Sequence, residues 1–484
     1  MRKLRTALVL FAIVAGVIGL TAAPSAVGAA GAAAPSLAHV SQIDRQDIPP
    51  LPGSEPDTLV EPDVAVSPID PNVAIEAAHD GRYPDGGAVD ISYAWTHDGG
   101  RNWHHAPVQG LTTSDGGVWD RASDPVLAFG PDGSAYLSVL VFDNGCSSGV
   151  TVSRSVNGGR TFGPPVVVHR SNNCNYSDDK NFLVIDNQPH SPHLGRLYQF
   201  WTPFLSDHNG NTTGSLQVLR WSDDHGQTWS STVNLTADGR FTQNSQPMVQ
   251  PNGTLVDTYL DYGPFNHGEG AEAQGANADA VLHPATVPAL FPADRIAARR
   301  STDGGTTWSV DYTVTRLAGE GPIDMRCCLP SGAADPVTGE LFVAWVSPDS
   351  TQVMLAQSAD GHHWSPGVQV RPAATGQQYV NVDVTAYGGS VYVADSVRLS
   401  AGGNIVQQEV SSSSDGVSFT GPVAIGPVSD LRYAAVADGL IFPGDYMGTA
   451  ATHGRLYVVW CRSSEPPAGG GTFHQTVYGA AFTT

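Results

Sequence analysis

Lysine is almost missing from this chain: of 484 residues, only Lys3 and Lys180 are lysines. Lysine and arginine together number 24 against 46 aspartates and glutamates, a formal net charge of −22. A surface with that balance repels phosphate backbones and argues against nucleic acid as a partner. Cysteine is scarce as well, at five residues, and no C-x-x-C pair or His-rich spacing points to zinc. No D-x-D-x-D-G run offers a calcium loop, so neither a metal nor a cofactor is expected. Long apolar runs are also lacking, with one exception. Arg2, Lys3 and Arg5 precede an apolar stretch from Ala7 to Leu20, and small residues follow with cleavage points between Ala29 and Ala34. This is the pattern of a secretory leader, and the stretch is short for a membrane span. Residues 1–34 are therefore expected to leave, taking three positive charges and moving the net charge to −25. The expected product is a secreted, extracellular, monomeric protein of residues 35–484 with no membrane anchor.

What the chain does have is a phrase written six times, Ser/Thr-x-Asp-x-Gly-x-x-Trp/Phe. The copies are THDGGRNW from Thr96, SVNGGRTF from Ser155, SDDHGQTW from Ser222, STDGGTTW from Ser301, SADGHHW from Ser358 and SSDGVSF from Ser413. Their acidic or Asn positions, 98, 157, 224, 303, 360 and 415, lie 59, 67, 79, 57 and 55 residues apart. That period suits one four-stranded blade with its loops, repeated around a ring. In each copy glycine supplies positive φ, Asp and Ser/Thr satisfy the amides of a hairpin turn, and the aromatic packs the hairpin onto its own blade.

These phrases are the Asp-box signature, and on them the chain resembles the sialidase-like β-propellers. The resemblance implies an all-β fold in which the boxes lie at the outer rim, on the face opposite an active site, and act as staples. Each box should join the third and fourth strands of its blade. Inner strands are expected to open at Asp63, Pro125, Phe182, Gln246, Leu329, Asn381 and Asp445. The last unit, Asp445 to Phe482, has no box and only three strands, and the segment from Leu37 to Asp47 stands ready to supply the fourth. The reading is a single propeller domain of seven blades, six being the alternative. Residues 262–294, rich in Gly, Ala and Pro, should form a long loop in the fourth blade.

Inner strands of a propeller end near one axis, so their polar residues converge whatever their separation in sequence. Blade by blade these are Glu61 and Asp63, Arg121 and Asp124, Asp179 and Lys180, Gln246, Arg326, Asn381 and Asp383, then Asp445 and Tyr446. The stretch Ile75 to Trp103 is similar to the sialidase segment that carries an Arg shortly before a mobile Asp. By that resemblance Arg82 matches a pocket Arg and Asp85 the general acid/base. The resemblance also implies three arginines around a substrate carboxylate and a Tyr nucleophile. Arg121 and Arg326 stand in for two of the arginines and Tyr446 for the nucleophile, with Lys180 and Asp445 as further substrate contacts. The chain departs from the family where Glu61-Pro62-Asp63 replaces an Arg-Ile-Pro, which removes one clamp.

In an exported chain cysteines pair by default. Cys146 and Cys174 flank the second box, while Cys327 and Cys328 either form a vicinal disulfide or send one member to Cys461. A vicinal disulfide would serve as a platform for a sugar or as a structural lock. Three functional readings follow. The favoured one is a glycoside hydrolase acting on an extracellular glycan or glycoconjugate, with Asp85 as acid. The others are a non-catalytic propeller that binds glycan or protein, and a polysaccharide lyase in which Lys180, Tyr446 or a His acts as base.

Overall fold

The computed structural model describes residues 34–236, 239–264, 294–317, 329–371, 374–437, 439–468 and 470–484, all within one body, Ala32–Thr484. The leader, most of the long fourth-blade loop, and Arg326, Cys327 and Cys328 lie outside the described residues. The fold is all-β, built of antiparallel four-stranded meanders, as in a propeller. Among the described residues, no helix is long and apolar enough to cross a membrane.

Every meander has an inner strand that packs beside the inner strands of its neighbours. In chain order these inner strands are Leu59–Val66, Arg121–Phe129, Tyr176–Ile185, Arg240–Val249, Ser331–Ala334, Gln378–Tyr387 and Gly448–Thr452. Each packs beside the next, and Gly448–Thr452 packs beside Leu59–Val66. The first two meanders touch through one ladder pair, Ala88↔Ala122. The seventh contains Gly448–Thr452, Arg455–Ser463 and Gln475–Thr483, and its outer strand is Ser36–Asp44 from the other end of the chain. That strand pairs antiparallel with Gln475–Thr483, from Ser36↔Thr483 to Asp44↔Val477. An edge that would otherwise offer unpaired amides is thereby covered.

Strands buried on both faces carry apolar residues on both, and the side-chain period of two decides which neighbour each one meets. In Ala74–Arg82, Ile75 and Ala77 pack with Leu127, Leu137 and Val139 of the second meander. The alternate residues, Ala74 and Ala78, pack with Tyr457, Val459 and Val477 of the seventh. Apolar seams between meanders hold the body together, and Trp201, Trp460, Tyr198 and Tyr457 are among its largest fully buried side chains.

The repeated phrase forms the turn between third and fourth strands, as its spacing predicts. In the first copy Thr96 Oγ1 donates to Asp98 Oδ1 at 2.9 Å and accepts the Gly100 N–H at 3.1 Å. Asp98 Oδ1 in turn takes the N–H groups of Arg101 and Asn102, both at 3.0 Å. The aromatic residue departs from expectation. It does not serve its own blade alone but reaches the preceding meander. Phe162 meets Tyr93 edge-on at 5.1 Å, and Trp308 meets Phe200 at 6.0 Å. In the first copy, Trp103 meets Tyr457 of the seventh meander at 6.4 Å. The glycine explains why. A Cβ on Gly159 would come within 2.0 Å of Ile75 Cγ2, so the turn lies directly on the neighbour's side chain and only glycine fits at its φ of 84°. The turns are therefore staples between meanders.

Candidate functional site

The first four inner strands begin several residues before the positions that alternation suggested, and the cause is a bulge in each; the fifth and seventh begin after theirs, at Ser331 and Gly448. The ladder breaks between Val60 and Asp63, Ser123 and Val126, Asp179 and Phe182, and Gln243 and Gln246. Each break holds a non-glycine residue in the left-handed region: Glu61 at φ 58°, Asp124 at 47°, Lys180 at 37° and Asn244 at 65°. A bulge re-aims a side chain at the cost of local strain, and such strain gathers at functional sites. Pro62 and Pro125 follow two of these residues, where a missing N–H costs the ladder nothing because the ladder is already broken.

Glu61, Asp124 and Lys180 gather around His79, which projects from the second strand of the first meander, while Asn244 donates to the Pro330 carbonyl at 2.8 Å. His79 Nε2 lies 3.2 Å from Glu61 Oε2 and 3.6 Å from Asp124 Oδ1, and accepts the Asp124 N–H at 2.6 Å. Burial pushes the His79 pKa down, and the neighbouring Asp124 works against that shift. Ser123 Oγ donates to Asp124 Oδ1 at 2.8 Å, and Lys180 Nζ stands 3.9 Å from Asp124 Oδ2. Burial works against the Asp124 charge, but the His79 imidazole, the Lys180 ammonium and the Ser123 hydroxyl outweigh it and hold the pKa well below the usual carboxylate range. Asp124 is thus an anion at the pocket floor. The Asp445 N–H donates to Glu61 Oε1 at 3.2 Å, which ties the seventh meander to the first.

Above this floor a cavity of about 200 Å³ is lined by Arg82, Asp85, Arg121, Lys180 and Asp445, together with Glu61, His79 and Asp124. Asp85 sits in the turn after Arg82, where Gly86 and Gly87 take φ of 119° and 66°. Its side chain, 51% exposed, receives Arg121 Nη1 at 2.7 Å. Arg121 also donates to Asn144 Oδ1 at 3.1 Å and to the Gly86 carbonyl at 2.8 Å, and its guanidinium covers the Tyr83 ring at 4.1 Å. Arg82 is 3% exposed, donates to the carbonyls of Tyr83 and Val436, and stacks over Phe442 at 4.4 Å. A disulfide between Cys146 and Cys174 ties together two loops beside this cavity, and Cys146 itself lines the wall. Cys461 is a free buried thiol whose Sγ donates to the Leu59 carbonyl at 3.2 Å.

Tyr446 is on a lower level. Lys180 Nζ lies 3.5 Å above its ring centroid, and the phenol lines a second cavity of about 150 Å³ with Asp63, Gln246 and Asp383. Its hydroxyl is buried with no hydrogen-bond partner among the described residues. Burial first, then the charges of Asp124, Glu61, Asp63 and Asp445, push its pKa well above the ordinary value. Asn381 donates to the Gly444 carbonyl at 2.9 Å and supports the same turn. Asp179 accepts from Gln243 Nε2 at 2.9 Å on the wall of the upper cavity.

The structure thus brings Arg82, Asp85, Arg121, Lys180 and Asp445 of the sequence reading to one cavity and puts Tyr446 beneath it. Sequence reasoning missed His79, Ser123 and Asn244. A signal for His79 existed: it falls on the odd-numbered face of the strand AIEAAHDGR, in line with Ile75 and Ala77, where the other residues before it are apolar.

No family model and no curated protein matches the chain. Among solved structures it is similar to the intramolecular trans-sialidase from Ruminococcus gnavus, at 14% identity over 71% of this chain and 90% of that one, with a TM-score of 0.44. It is also similar to an α-L-arabinanase from Penicillium chrysogenum, at 13% identity over 74% of this chain and 94% of that one, TM-score 0.46. A protein of unknown function from Dyadobacter fermentans matches at 12% identity over 92% of this chain and 99% of that one, TM-score 0.47. No residue role is transferred from these proteins.

Proposed function

We propose that the chain is an exported glycoside hydrolase on a seven-bladed sialidase-like propeller, closed by its N-terminal strand, that acts on an extracellular glycan. The reading is supported by one observation above others. A rim acid on a glycine-hinged turn, Asp85, shares a cavity with a floor carboxylate, Asp124, that is kept ionised. Glycoside cleavage needs two carboxyl groups in different states, one able to give a proton and one that stays charged. In the resting pocket Arg121 pairs with Asp85 at 2.7 Å. A glycan that enters between them separates the pair, and the Asp85 carboxyl passes a proton to the departing oxygen. Arg82 supports the floor of that turn through its bonds to backbone carbonyls.

Turnover of a panel of fluorogenic glycosides tests the proposal. Asp85→Ala is expected to lower kcat by about 10²-fold or more, the usual weight of a general acid. Equal turnover by wild type and variant would remove Asp85 from the mechanism. A second reading, a propeller that binds glycan without cleaving it, draws on the position of Tyr446, since a phenol buried below Lys180 does not reach a ligand in the upper cavity. Binding without turnover selects that reading.

A further inference from the structure

We propose that Asn144, on the wall of the upper cavity, is a site of spontaneous covalent modification, where attack by the Gly145 backbone nitrogen turns the side-chain amide into a carboxylate beside Arg121. The proposal stands on this loop and its arginine, and does not depend on the hydrolase reading.

The chain contains four Asn-Gly pairs: Asn144-Gly145, Asn157-Gly158, Asn209-Gly210 and Asn252-Gly253. A glycine after asparagine has no side chain to keep its nitrogen away from the asparagine Cγ, so every pair has the local chemistry for ring closure. What separates the four is how the structure holds the reacting atoms. The Gly210 N–H donates to the Asp207 carbonyl at 3.0 Å and the Gly253 N–H to the Gln250 carbonyl at 2.8 Å, so both nitrogens are engaged in turns. Asn157 is fixed at both ends of its amide. Its Oδ1 accepts Ser155 Oγ and the Thr161 N–H, and its Nδ2 donates to Thr161 Oγ1 at 2.9 Å.

Asn144-Gly145 is held differently. The pair lies in the turn between Ala135–Phe142 and Ser148–Ser155, and both residues are exposed. Among the described residues, neither the Gly145 N–H nor Asn144 Nδ2 has a hydrogen-bond partner, and no atom lies within 4 Å of where a Gly145 Cβ would stand. The attacking nitrogen and the leaving amine are thus both free. The carbonyl oxygen between them is not: Arg121 Nε donates to Asn144 Oδ1 at 3.1 Å. Arg121 is kept in place for this by Asp85, by the Gly86 carbonyl and by the Tyr83 ring. When nitrogen attacks Cγ, the electron pair of the C=O bond moves onto Oδ1, and the guanidinium already donates to the atom on which that charge develops.

The steps balance with water as the only co-reactant. The bond from Gly145 N to Cγ forms, the bond from Cγ to Nδ2 breaks, and the proton lost by Gly145 passes through solvent to Nδ2, which leaves as ammonia. Water then opens the imide ring. Attack at Cγ gives aspartate at position 144, and attack at the backbone carbonyl gives isoaspartate, with one more methylene in the main chain. Either product sets a carboxylate against Arg121 in competition with Asp85, since a guanidinium pairs more strongly with a carboxylate than with an amide. The isoaspartyl form also lengthens a loop that the Cys146–Cys174 disulfide pins at the next residue but one. The modification is therefore expected to loosen the Arg121–Asp85 pair on the cavity wall.

The test incubates the folded protein, with its disulfide intact, in water labelled with heavy oxygen, and follows the peptides that carry the four pairs by mass spectrometry. Asn144 is expected to take up label about tenfold or more ahead of the other three, a small part of what an oxyanion donor supplies in a closed site. In urea that lead should vanish. Arg121→Met should slow the conversion of Asn144, whereas removing an arginine that merely restrained the loop would speed it. No label at Asn144, or another pair converting first, overturns the site. A lead that survives in urea assigns the reactivity to local sequence and overturns the part given to Arg121, as does an unchanged or faster rate in Arg121→Met. If that variant does not fold, the comparison of folded and urea-unfolded wild type decides the matter by itself.

Discussion

Asp124 and Glu76 are both carboxyl groups buried in the body, and their surroundings push their pKa values in opposite directions. Asp124, at the axis, has an ammonium, a hydroxyl and an imidazole within reach and stays charged. Glu76 is 0% exposed, in the seam between the first and seventh meanders, and neither of its oxygens has a hydrogen-bond partner among the described residues. Burial, and then the charges of Asp44 and Asp63, push its pKa well above the ordinary value. The neighbours along that seam behave alike. Asp44, on the N-terminal strand, is raised by burial although Ser92 donates to it at 2.6 Å. Asp80 accepts the N–H groups of Asp47 at 2.9 Å and Ile48 at 3.3 Å, yet burial still lifts it to about 7. Depth does not distinguish the two regions. Asp124 has beside it the ammonium of Lys180, the only lysine of residues 35–484, whereas Glu76 has no cation paired with it among the described residues.

Removing that lysine breaks the comparison most directly. Lys180→Met keeps the length of the side chain and takes away the charge, leaving Asp124 as a buried anion short of its main counter-ion. A loss of about 3–5 kcal/mol is expected at pH 7, the usual result of taking one partner from a buried pair. Urea unfolding measures it. A loss below about 1 kcal/mol would mean that His79 and Ser123 hold the charge by themselves.

The second prediction concerns pH, where the two regions contribute with opposite sign. A carboxyl whose folded pKa is raised binds its proton more tightly in the folded state. Its contribution is full below the unfolded pKa of about 3.9 and is lost as pH climbs through the folded value. For Asp80 that window runs from about 4 to about 7. Asp124 has a lowered pKa, so its contribution is present above about 4 and is lost as pH falls. Stability should therefore decline between about pH 5 and 8 by roughly 2–4 kcal/mol for Asp80 alone. Asp80→Asn and Glu76→Gln should each flatten the curve. Equilibrium unfolding at pH 5 and pH 8 tests this, and a wild type as stable at pH 8 as at pH 5 would count against a neutral seam.

Much of the architecture was legible because it repeats. Six turns at a near-constant spacing place third and fourth strands, and the unit without a turn leads to the N-terminal strand that does pair with Gln475–Thr483. The inner strands were less legible. Alternation reads from Asp63, but the strand begins at Leu59, because the bulge at Glu61 shifts the register and hides the earlier residues. The candidate site was legible in part for the same reason. Glu61-Pro62 and Asp124-Pro125 occupy equivalent places in consecutive repeats, a coincidence of acid and proline that points to the axis. Nothing local announces Ser123 or Asn244, whose meaning depends on a neighbour brought in by ring geometry. The aromatics of the turns were assigned to their own blades because a sequence orders residues along the chain, whereas the close approach of Gly159 to Ile75 exists only across a seam.

The smallest expected effect extends the comparison to the rim, where carboxylates are exposed and charge should hardly matter. Asp224 accepts Ser222 Oγ at 2.8 Å, the N–H groups of Gln227 and Thr228 at 3.0 and 2.8 Å, and Thr228 Oγ1 at 2.6 Å. These bonds lower its pKa to about 2. The second copy of the turn does the same work with a neutral amide: Asn157 Oδ1 accepts Ser155 Oγ at 2.8 Å and the Thr161 N–H at 3.1 Å. What the turn requires is an acceptor in the right place, and water already screens any charge on it. Asp224→Asn should therefore change stability by less than about 0.5 kcal/mol, while Asp224→Ala, which orphans several donors, should cost about 1–2 kcal/mol. Thermal melts of the two variants at one pH decide it. An Asn variant as damaging as the Ala variant would show that the rim, like the axis, depends on charge.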